Sequence, residues 1–405
     1  MKILQISPQF PYPLDDGGRK GIWGISKSLF ERGNEITFIA YQKNLNNDFE
    51  DKSFNIYRKL VLVEAQLENS LLGVLINLFS SVPYNISKYK TKKFKTLLIN
   101  ALLYDKPDVI HIDHLHMVWT GDIIRKIYPD VPIILREHNI ESNIMKRFSA
   151  KQKNYIIKVY SFIQYKKLVK YEAKWCGKVD CCMMISSEDE KEILQLNPDV
   201  KTCIIPAGIN IDKIGSEKNK PKIKNSICHI GPMDWYPNYD SLNWFLYSIF
   251  PEILSQKPEI TLYIFGKGTE KVKIPEKIRN NVTVVGFVND LWKEVSQMQL
   301  VIVPLRIGGG IRIKILETMA AGINILSTTI GKEGIPVNDQ EHILIADSEK
   351  DFSEKIIRYF NSEFEDSKMI DESIQLIKRE FTWNSVGEKF ENEYLKFIKI
   401  RNFHS

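Results

Sequence analysis

The chain is predicted to be an α/β protein of two doubly wound domains, each a mostly parallel sheet with helices on both faces. Three observations predict this. Its 405 residues are too many for one ordinary hydrophobic core. It opens in the order strand, glycine loop, helix, strand, a βαβ unit that implies a parallel sheet. After Pro206 and a polar, lysine-rich stretch the same alternation starts again, as repeated architecture without repeated sequence.

The first domain is expected over residues 1–207. Ile3, Leu4 and Ile6 make a short buried strand, and the prolines and glycines from Pro8 to Gly18 make a loop. Ile22, Ile25, Leu29 and Phe30 then fall at helical spacing until Gly33 stops the helix. Further strands are expected at 35–40, 108–112, 131–135, 179–185 and 202–205. Between them lie a long helix over 154–175 and another over 186–196, opened by a serine cap and an acidic first turn. A linker is expected over 208–224. The second domain, 225–384, should carry strands at 227–230, 261–265, 282–285, 300–303, 323–327 and 343–345. Its main helices are expected over 239–255 and 311–321, the latter closed by Gly322. A last helix within 385–405 is expected to cross back to the first domain.

Composition narrows the class of protein. The 43% hydrophobic and 26% charged fractions are those of a soluble globular protein. The longest apolar run, residues 71–82, is too short to span a bilayer and contains Asn77 and two serines. The first residues lack the basic, apolar, small pattern of a secretory signal. The five cysteines, none in a CxxC spacing, read as reduced thiols of a cytosolic protein. The expected location is therefore cytoplasmic. The net charge of +6 says less than its distribution. From Lys146 to Lys178 there are ten basic residues against one acid, Glu172, and a second cluster sets Lys88, Lys90, Lys92, Lys93 and Lys95 around Tyr89 and Phe94. These are either solvated helix faces or a surface for an anionic membrane, at the inner face of the cell membrane. No nucleic-acid-binding motif accompanies them, so no nucleic-acid partner is expected.

In open parallel sheets ligands sit beyond the carboxyl ends of the strands, which singles out a few loops. Gly17, Gly18 and Arg19 offer free backbone N–H groups at a helix start, suited to a phosphate or the reacting centre. Gly308, Gly309 and Gly310 follow a strand directly and open a helix. Three consecutive glycines serve no packing need, and each costs backbone entropy. With Arg306, Ile311, Arg312 and Lys314 around them, a diphosphate is the ligand they suit. The GK[ST] ending of a Walker A loop is missing. Glu317, inside that helix, can accept two hydrogen bonds from the vicinal hydroxyls of a ribose. His111-Ile112-Asp113-His114-Leu115-His116 lies at a strand end. The strand should stop near Ile112, so alternate histidines do not share a face, and a substrate hydroxyl suits them better than a metal. Arg136-Glu137-His138-Asn139-Ile140-Glu141, again after a strand, reads as polar lining, because such a run is costly to bury without a purpose.

Taken together, these stretches resemble the retaining glycosyltransferases of the GT4 family, which have the GT-B fold: two Rossmann-like doubly wound domains facing each other across a cleft. The resemblance is carried by Asp16-Gly17-Gly18, by the run Glu137 to Ser142, and by Ile204-Ile205-Pro206-Ala207-Gly208-Ile209-Asn210, similar to the family's I-P-N-G-V-D hinge. Gly231-Pro232-Met233-Asp234-Trp235, Gly286-Phe287-Val288-Asn289-Asp290 and the run Pro304 to Gly322 add to it. It implies metal-independent transfer from a nucleotide-diphosphate sugar, such as a UDP-sugar, to a saccharide or lipid-linked saccharide in bacterial surface polysaccharide or glycoconjugate synthesis. No other cofactor is implied. By position, His114, Gly18 and Arg312 would serve the reaction. Gly17, Gly231, Arg306, Gly308, Gly309, Gly310, Ile311, Lys314 and Glu317 would hold the donor. Arg19, His116, His138, Asn139 and Glu141 would line the acceptor side. Glu317 matches the second acid of the family's E-x7-E motif. The first falls at Gly309 and is absent, which leaves the backbone N–H groups of Gly309, Gly310 and Ile311 in its place. The family's G-R-x4-K-G is also missing, and Arg312 and Lys314 are expected to replace its charge. A GT-B nucleotide-sugar epimerase and a non-enzymatic sugar-binding protein are the alternatives.

Overall fold

The computed structural model describes the chain except residues 13, 15, 16, 44–51, 153, 212, 213, 215–220, 308, 309 and 405, and describes 52, 53, 151 and 401–404 for the backbone only. Among the described residues the strands form two wholly parallel sheets of seven and six strands. The first contains β1 (Lys2–Ser7), β2 (Glu35–Gln42), β3 (Tyr57–Glu64), β4 (Val109–Asp113), β5 (Ile133–Arg136), β6 (Cys181–Met184) and β7 (Thr202–Ile204), in the order β3-β2-β1-β4-β5-β6-β7. The second contains β8 (Ser226–Ile230), β9 (Thr261–Phe265), β10 (Val282–Gly286), β11 (Leu300–Val303), β12 (Asn324–Ser327) and β13 (Leu344–Ile345), in the order β10-β9-β8-β11-β12-β13. Each order reverses once, between β1 and β4 and between β8 and β11. Those reversals are the switch points beside which doubly wound sheets bind ligands. These are two Rossmann-like sheets of the GT-B kind.

The chain divides into two compact units, Met1–Gly208 with Val386–Ser405, and Ile209–Ser385. In the first, every residue of β4 is buried, and the core under it gathers Ile110, Ile112, Leu115, Val118, Leu135 and Leu168. In the second, β11 is buried along its whole length, with one apolar cluster around Val301 and Val303 and another around Leu300 and Ile302. Alternate residues of that strand thus feed the two faces, as a sheet covered on both sides requires.

Several elements depart from the sequence reading. The first helix is Gly17–Glu31, so Gly17 and Gly18 form its first turn rather than the preceding loop. The helix expected over 239–255 starts earlier, at Tyr236, because Pro237 fits a first helical turn. It passes through a π-helical segment, Phe245–Ile249, before the last turns, Phe250–Gln256. The helix expected over 311–321 is Ile313–Ala320, which leaves Arg312 as its cap residue. β3 was not anticipated, because Arg58, Lys59 and Glu64 break up the apolar run of a half-buried edge strand. The long helix is Tyr155–Cys176, and Asn154 Oδ1 accepts from Ile156 N (3.0 Å) and Ile157 N (3.2 Å) at its start. Residues 212, 213 and 215–220 of the expected linker lie outside the described residues.

Candidate functional site

In the first unit, the carboxyl ends of β1, β4 and β5 meet at Asp113. This residue is fully buried as the last of β4. Gln5 Nε2, from β1, donates to its Oδ2 (2.8 Å), and Ser26 Oγ on the first helix donates to Gln5 Oε1 (2.8 Å). The other oxygen, Oδ1, lies 3.0 Å from His111 Nε2 and 3.4 Å from His138 Nε2. The Tyr394 hydroxyl pairs with the remaining nitrogen of His111. Burial opposes a charge on Asp113, but the His111 and His138 rings outweigh it and hold the carboxyl far below its ordinary range. The result is a buried anion that fixes two imidazoles in place.

Around this anion stand four of the histidines and acids picked out from the sequence. His114 follows β4 with φ 65° and ψ 144°, a backbone region costly for a residue with a side chain. Its ring stacks on that of His138, with centroids 3.9 Å apart and planes 12° apart. Its Nε2 is buried with no hydrogen-bond partner among the described residues. Burial pushes the His114 proton affinity well below its usual value, aided by the neighbouring rings. It lowers that of His138 too, against the pull of Asp113. Both rings are therefore neutral at pH 7 and able to hydrogen-bond sugar hydroxyls. The first helix passes close by: a Cβ on Gly21 would meet the His138 ring at 3.4 Å. His116 Nε2 lies 4.0 Å from Glu141 Oε2, and its ring meets that of Tyr89 edge-on at 5.2 Å. Burial and the charge of Lys88 push the His116 pKa down to about 4, while burial and Glu172 raise that of Glu141 to about 7. Asn139 is exposed and Arg19 half-buried in the first helical turn.

Not all of the polar run after β5 faces outward. The Arg136 guanidinium donates to the carbonyls of Met184 (3.3 Å), Ile205 and Pro206 (3.2 Å), tying β5 to the ends of β6 and β7. Glu137 turns inward, where Cys176 Sγ lies 3.8 Å from it. Both side chains are spent inside the protein: the buried Arg136 charge is met by three carbonyls, and burial pushes the Glu137 carboxyl well above its usual range beside Cys176. Only His138, Asn139 and Glu141 of that run remain for a ligand.

In the second unit the corresponding ends are those of β8 and β11. Gly231, just past β8, has φ 154°, and a Cβ there would strike the Asn238 amide at 2.4 Å. Gly310 has φ 75° and accepts a hydrogen bond at its carbonyl from Arg312 (2.8 Å). The Arg312 guanidinium stands 5.6 Å over the half-exposed ring of Trp235, at the start of helix Ile313–Ala320. Ile311 is half-buried beside it, and Glu317 lies in the second helical turn. Gly308 and Gly309 lie outside the described residues.

The other two cations expected to serve a diphosphate have protein partners. Lys314 Nζ donates to the Ile230 carbonyl (2.8 Å) and Asn238 Oδ1 (3.1 Å), joining the helix to the end of β8. Burial and the charge of Arg312 push its pKa down to about 7. Arg306 pairs with Asp240 through two bonds of 2.7 and 3.1 Å and stacks on Trp244. Arg312, itself buried and bonded to the Gly310 carbonyl, is the cation at the start of the helix that the glycine loop opens.

Sequence reasoning missed Asp113 as the centre of the first site, together with Gln5, Ser26 and Tyr394. No local signal marks them, since Tyr394 lies 283 residues from His111. The role of Glu172, whose carboxylate accepts from Glu141 N (2.8 Å), Ser142 N (3.2 Å) and Ser142 Oγ (2.5 Å), was equally hidden. Among the described residues no group of three His, Cys, Asp or Glu side chains is placed to hold a metal ion.

Two parallel doubly wound sheets, each with its ligand-facing loops at the switch point, define the architecture of the GT-B glycosyltransferases. Residues 16–213 match the family described as Glycosyltransferase Family 4, and residues 224–362 that described as Glycosyl transferases group 1. The chain belongs to glycosyltransferase family 4, whose members use nucleotide-sugar donors. An uncharacterized 44.6 kDa protein in the cps region of Klebsiella pneumoniae is 24% identical over 371 residues, 88% of this chain and 90% of that protein. Among solved structures, Anabaena HepE in complex with UDP is similar with a TM-score of 0.68 and 14% identity, covering 98% of this chain and 100% of that one. Sucrose-phosphate synthase from Thermosynechococcus elongatus is similar with a TM-score of 0.69 and 14% identity, covering 99% of this chain and 100% of that one. At these identities the two structures speak for the fold alone.

Proposed function

We propose that this glycosyltransferase moves a sugar from a UDP-sugar to a saccharide or lipid-linked saccharide, with retention of configuration and without a metal, in the synthesis of a surface polysaccharide. The observation that carries the proposal is the start of helix Ile313–Ala320, where Arg312 holds the cap position and its guanidinium donates to the carbonyl of the left-handed Gly310. A leaving diphosphate gains negative charge as the glycosidic bond breaks, and fixed N–H dipoles with a cation stabilise that charge most where water is excluded. Glu317 then binds the ribose hydroxyls. The neutral His114 and His138 rings hold hydroxyls of the transferred sugar, with Asp113 behind them fixing the orientation of His138.

Asp113 does not serve as a covalent nucleophile, because both its oxygens are already taken by Gln5, His111 and His138. The acceptor hydroxyl therefore attacks from the leaving-group face. Its proton passes to the departing phosphate oxygen as the new glycosidic bond forms. UDP as the nucleotide is supported by the complex in which HepE was solved, and the polysaccharide setting by the cps location of the Klebsiella relative.

Calorimetric titration with UDP, GDP and ADP, in a buffer containing EDTA, tests the donor side. UDP should bind, and Arg312→Ala should weaken it by roughly 10–100-fold, the worth of a charge-assisted hydrogen bond. Equal UDP affinity in the variant would remove Arg312 from the site, and preference for GDP or ADP would refute the UDP assignment.

A further inference from the structure

Helix Leu71–Asn77 is inverted relative to an ordinary surface helix. Its one polar side chain, Asn77, is 4% exposed, while Leu71 is 86% exposed and Leu72, Leu75 and Ile76 also face outward. Phe79, two residues beyond, is 96% exposed. Asn77 is held inward by specific bonds: its Nδ2 donates to the Val82 carbonyl (2.9 Å), and its Oδ1 accepts from Gln164 Nε2 (3.1 Å). The orientation is therefore built in. A contiguous apolar patch of this kind on a water-facing surface is costly unless something covers it.

A second helix is bonded to the end of this one. Lys167 Nζ, on Tyr155–Cys176, donates to the carbonyls of Asn77 (2.6 Å) and Leu78 (3.3 Å), and Gln164 Oε1 accepts from Tyr84 N (2.9 Å). The start of that helix exposes Tyr155, Ile156, Val159 and Phe162. Around these apolar residues the charge is mainly positive, and the exposed Glu68 just before the helix is paired with Lys43 (2.9 Å). Glu172, the only acid between Lys146 and Lys178, is completely buried at the start of helix Glu141–Lys151, so the basic side chains of that stretch face no exposed carboxylate of their own segment. Lys88, Lys90, Lys92, Lys93 and Lys95 follow on from the first helix.

We infer that this face of the first unit lies on an anionic lipid bilayer, with Leu72, Leu75, Ile76 and Phe79 inserted at the headgroup level and the lysines on the lipid phosphates. Apolar side chains ringed by cations are the chemistry of an interfacial helix. Among the described residues no helix is long and apolar enough to cross a membrane, so the segment lies along the surface. A second copy of the chain suits the face poorly, because two such lysine-rich surfaces would repel. The face also leads to the acceptor site: Lys88 and Tyr89 follow helix Tyr84–Ser87, and the Tyr89 ring packs on His116. The inference rests on the acceptor reading above and narrows it to an acceptor presented at a membrane.

Sedimentation with vesicles of equal parts phosphatidylglycerol and phosphatidylcholine, against pure phosphatidylcholine, tests it without donor or acceptor. The wild-type chain should pellet with the anionic vesicles and stay in solution with the neutral ones. L72D/F79D should lower the partition coefficient by about tenfold or more, and K92E/K93E/K95E should do likewise and flatten its salt dependence. UDP titration of each variant runs in parallel and should be unchanged. Equal recovery of the wild type with both vesicles overturns the inference. So does wild-type partition by L72D/F79D, or a concentration-dependent dimer in light scattering that this variant abolishes. Vesicle binding without UDP affinity would leave the surface standing and defeat the donor reading, and the reverse result would do the opposite.

Discussion

Asp113 and Glu172 show how differently two buried carboxylates are used within one unit. Asp113 receives bonds from Gln5 and two imidazoles, which keep it ionised and fix those rings in place. Glu172 sits at the N-terminus of helix Glu141–Lys151, where burial raises its pKa to about 7 against the bonds from Ser142 and Glu141. The sign of its pH effect follows from linkage. Below about pH 4.5, the ordinary glutamate value, native and unfolded chains are both protonated and its contribution is fully present. Between 4.5 and about 7 the unfolded chain gives up the proton first, so native stability falls as pH rises. Glu172→Gln removes the titration, and the difference in melting temperature between wild type and variant should shift in the variant's favour across that interval. Parallel melting curves across it would contradict the assignment.

At the scale of elements, the ends of β8 and β9 are pressed together as backbone against backbone. A Cβ on Gly266, at φ 140°, would lie 2.1 Å from the Gly231 carbonyl oxygen, and no side-chain movement relieves that clash. Gly266→Ala should therefore cost about 3 kcal/mol or more through strain and displacement of the Gly231 loop. In denaturant titration this appears as an earlier unfolding of the second unit, with UDP affinity reduced because the loop beside Arg312 moves. An unchanged midpoint would show that the two strand ends separate more easily than their contact implies. The inverted helix Leu71–Asn77 makes the complementary point: an element can be held in place through its polar residue while its apolar side chains serve another surface.

For the whole molecule, the last helix decides which parts of the chain fold together. Trp383–His404 begins in the second unit, but Val386, Phe390 and Tyr394 are fully buried in the first. Tyr394 bonds His111, and Glu391 accepts from Arg32 (2.8 Å) and Asn34 (2.9 Å). Losing one buried aromatic side chain costs about 3–5 kcal/mol, so losing two with their polar partners exceeds what a unit of this size can spare. A chain ending at Ser385 should lose the cooperative thermal transition of its first unit in calorimetry while its second unit keeps UDP affinity. Two intact transitions would refute this dependence.

What the sequence determined by itself is local in origin. The alternation of strands and helices, the fold class, the serine cap at Ser186 and the glycine-rich stretches at 17–18 and 308–310 are readable because each depends on neighbours a few residues apart. The edge strand β3 escaped because only its place in the sheet, and not its mixed composition, makes it a strand. Which partner each charged side chain engages was decided by tertiary structure alone. Lys314, Arg306 and Arg312 look equivalent in sequence, yet Ile230 and Asn238 engage the first, Asp240 the second, and Gly310 and Trp235 the third. The pairing of His111 with Tyr394 across 283 residues, and the inward turn of Asn77 that leaves four apolar neighbours outside, likewise follow from packing. The energy of a buried charge or polar group depends on the partners that surround it in space, and sequence spacing carries no record of them.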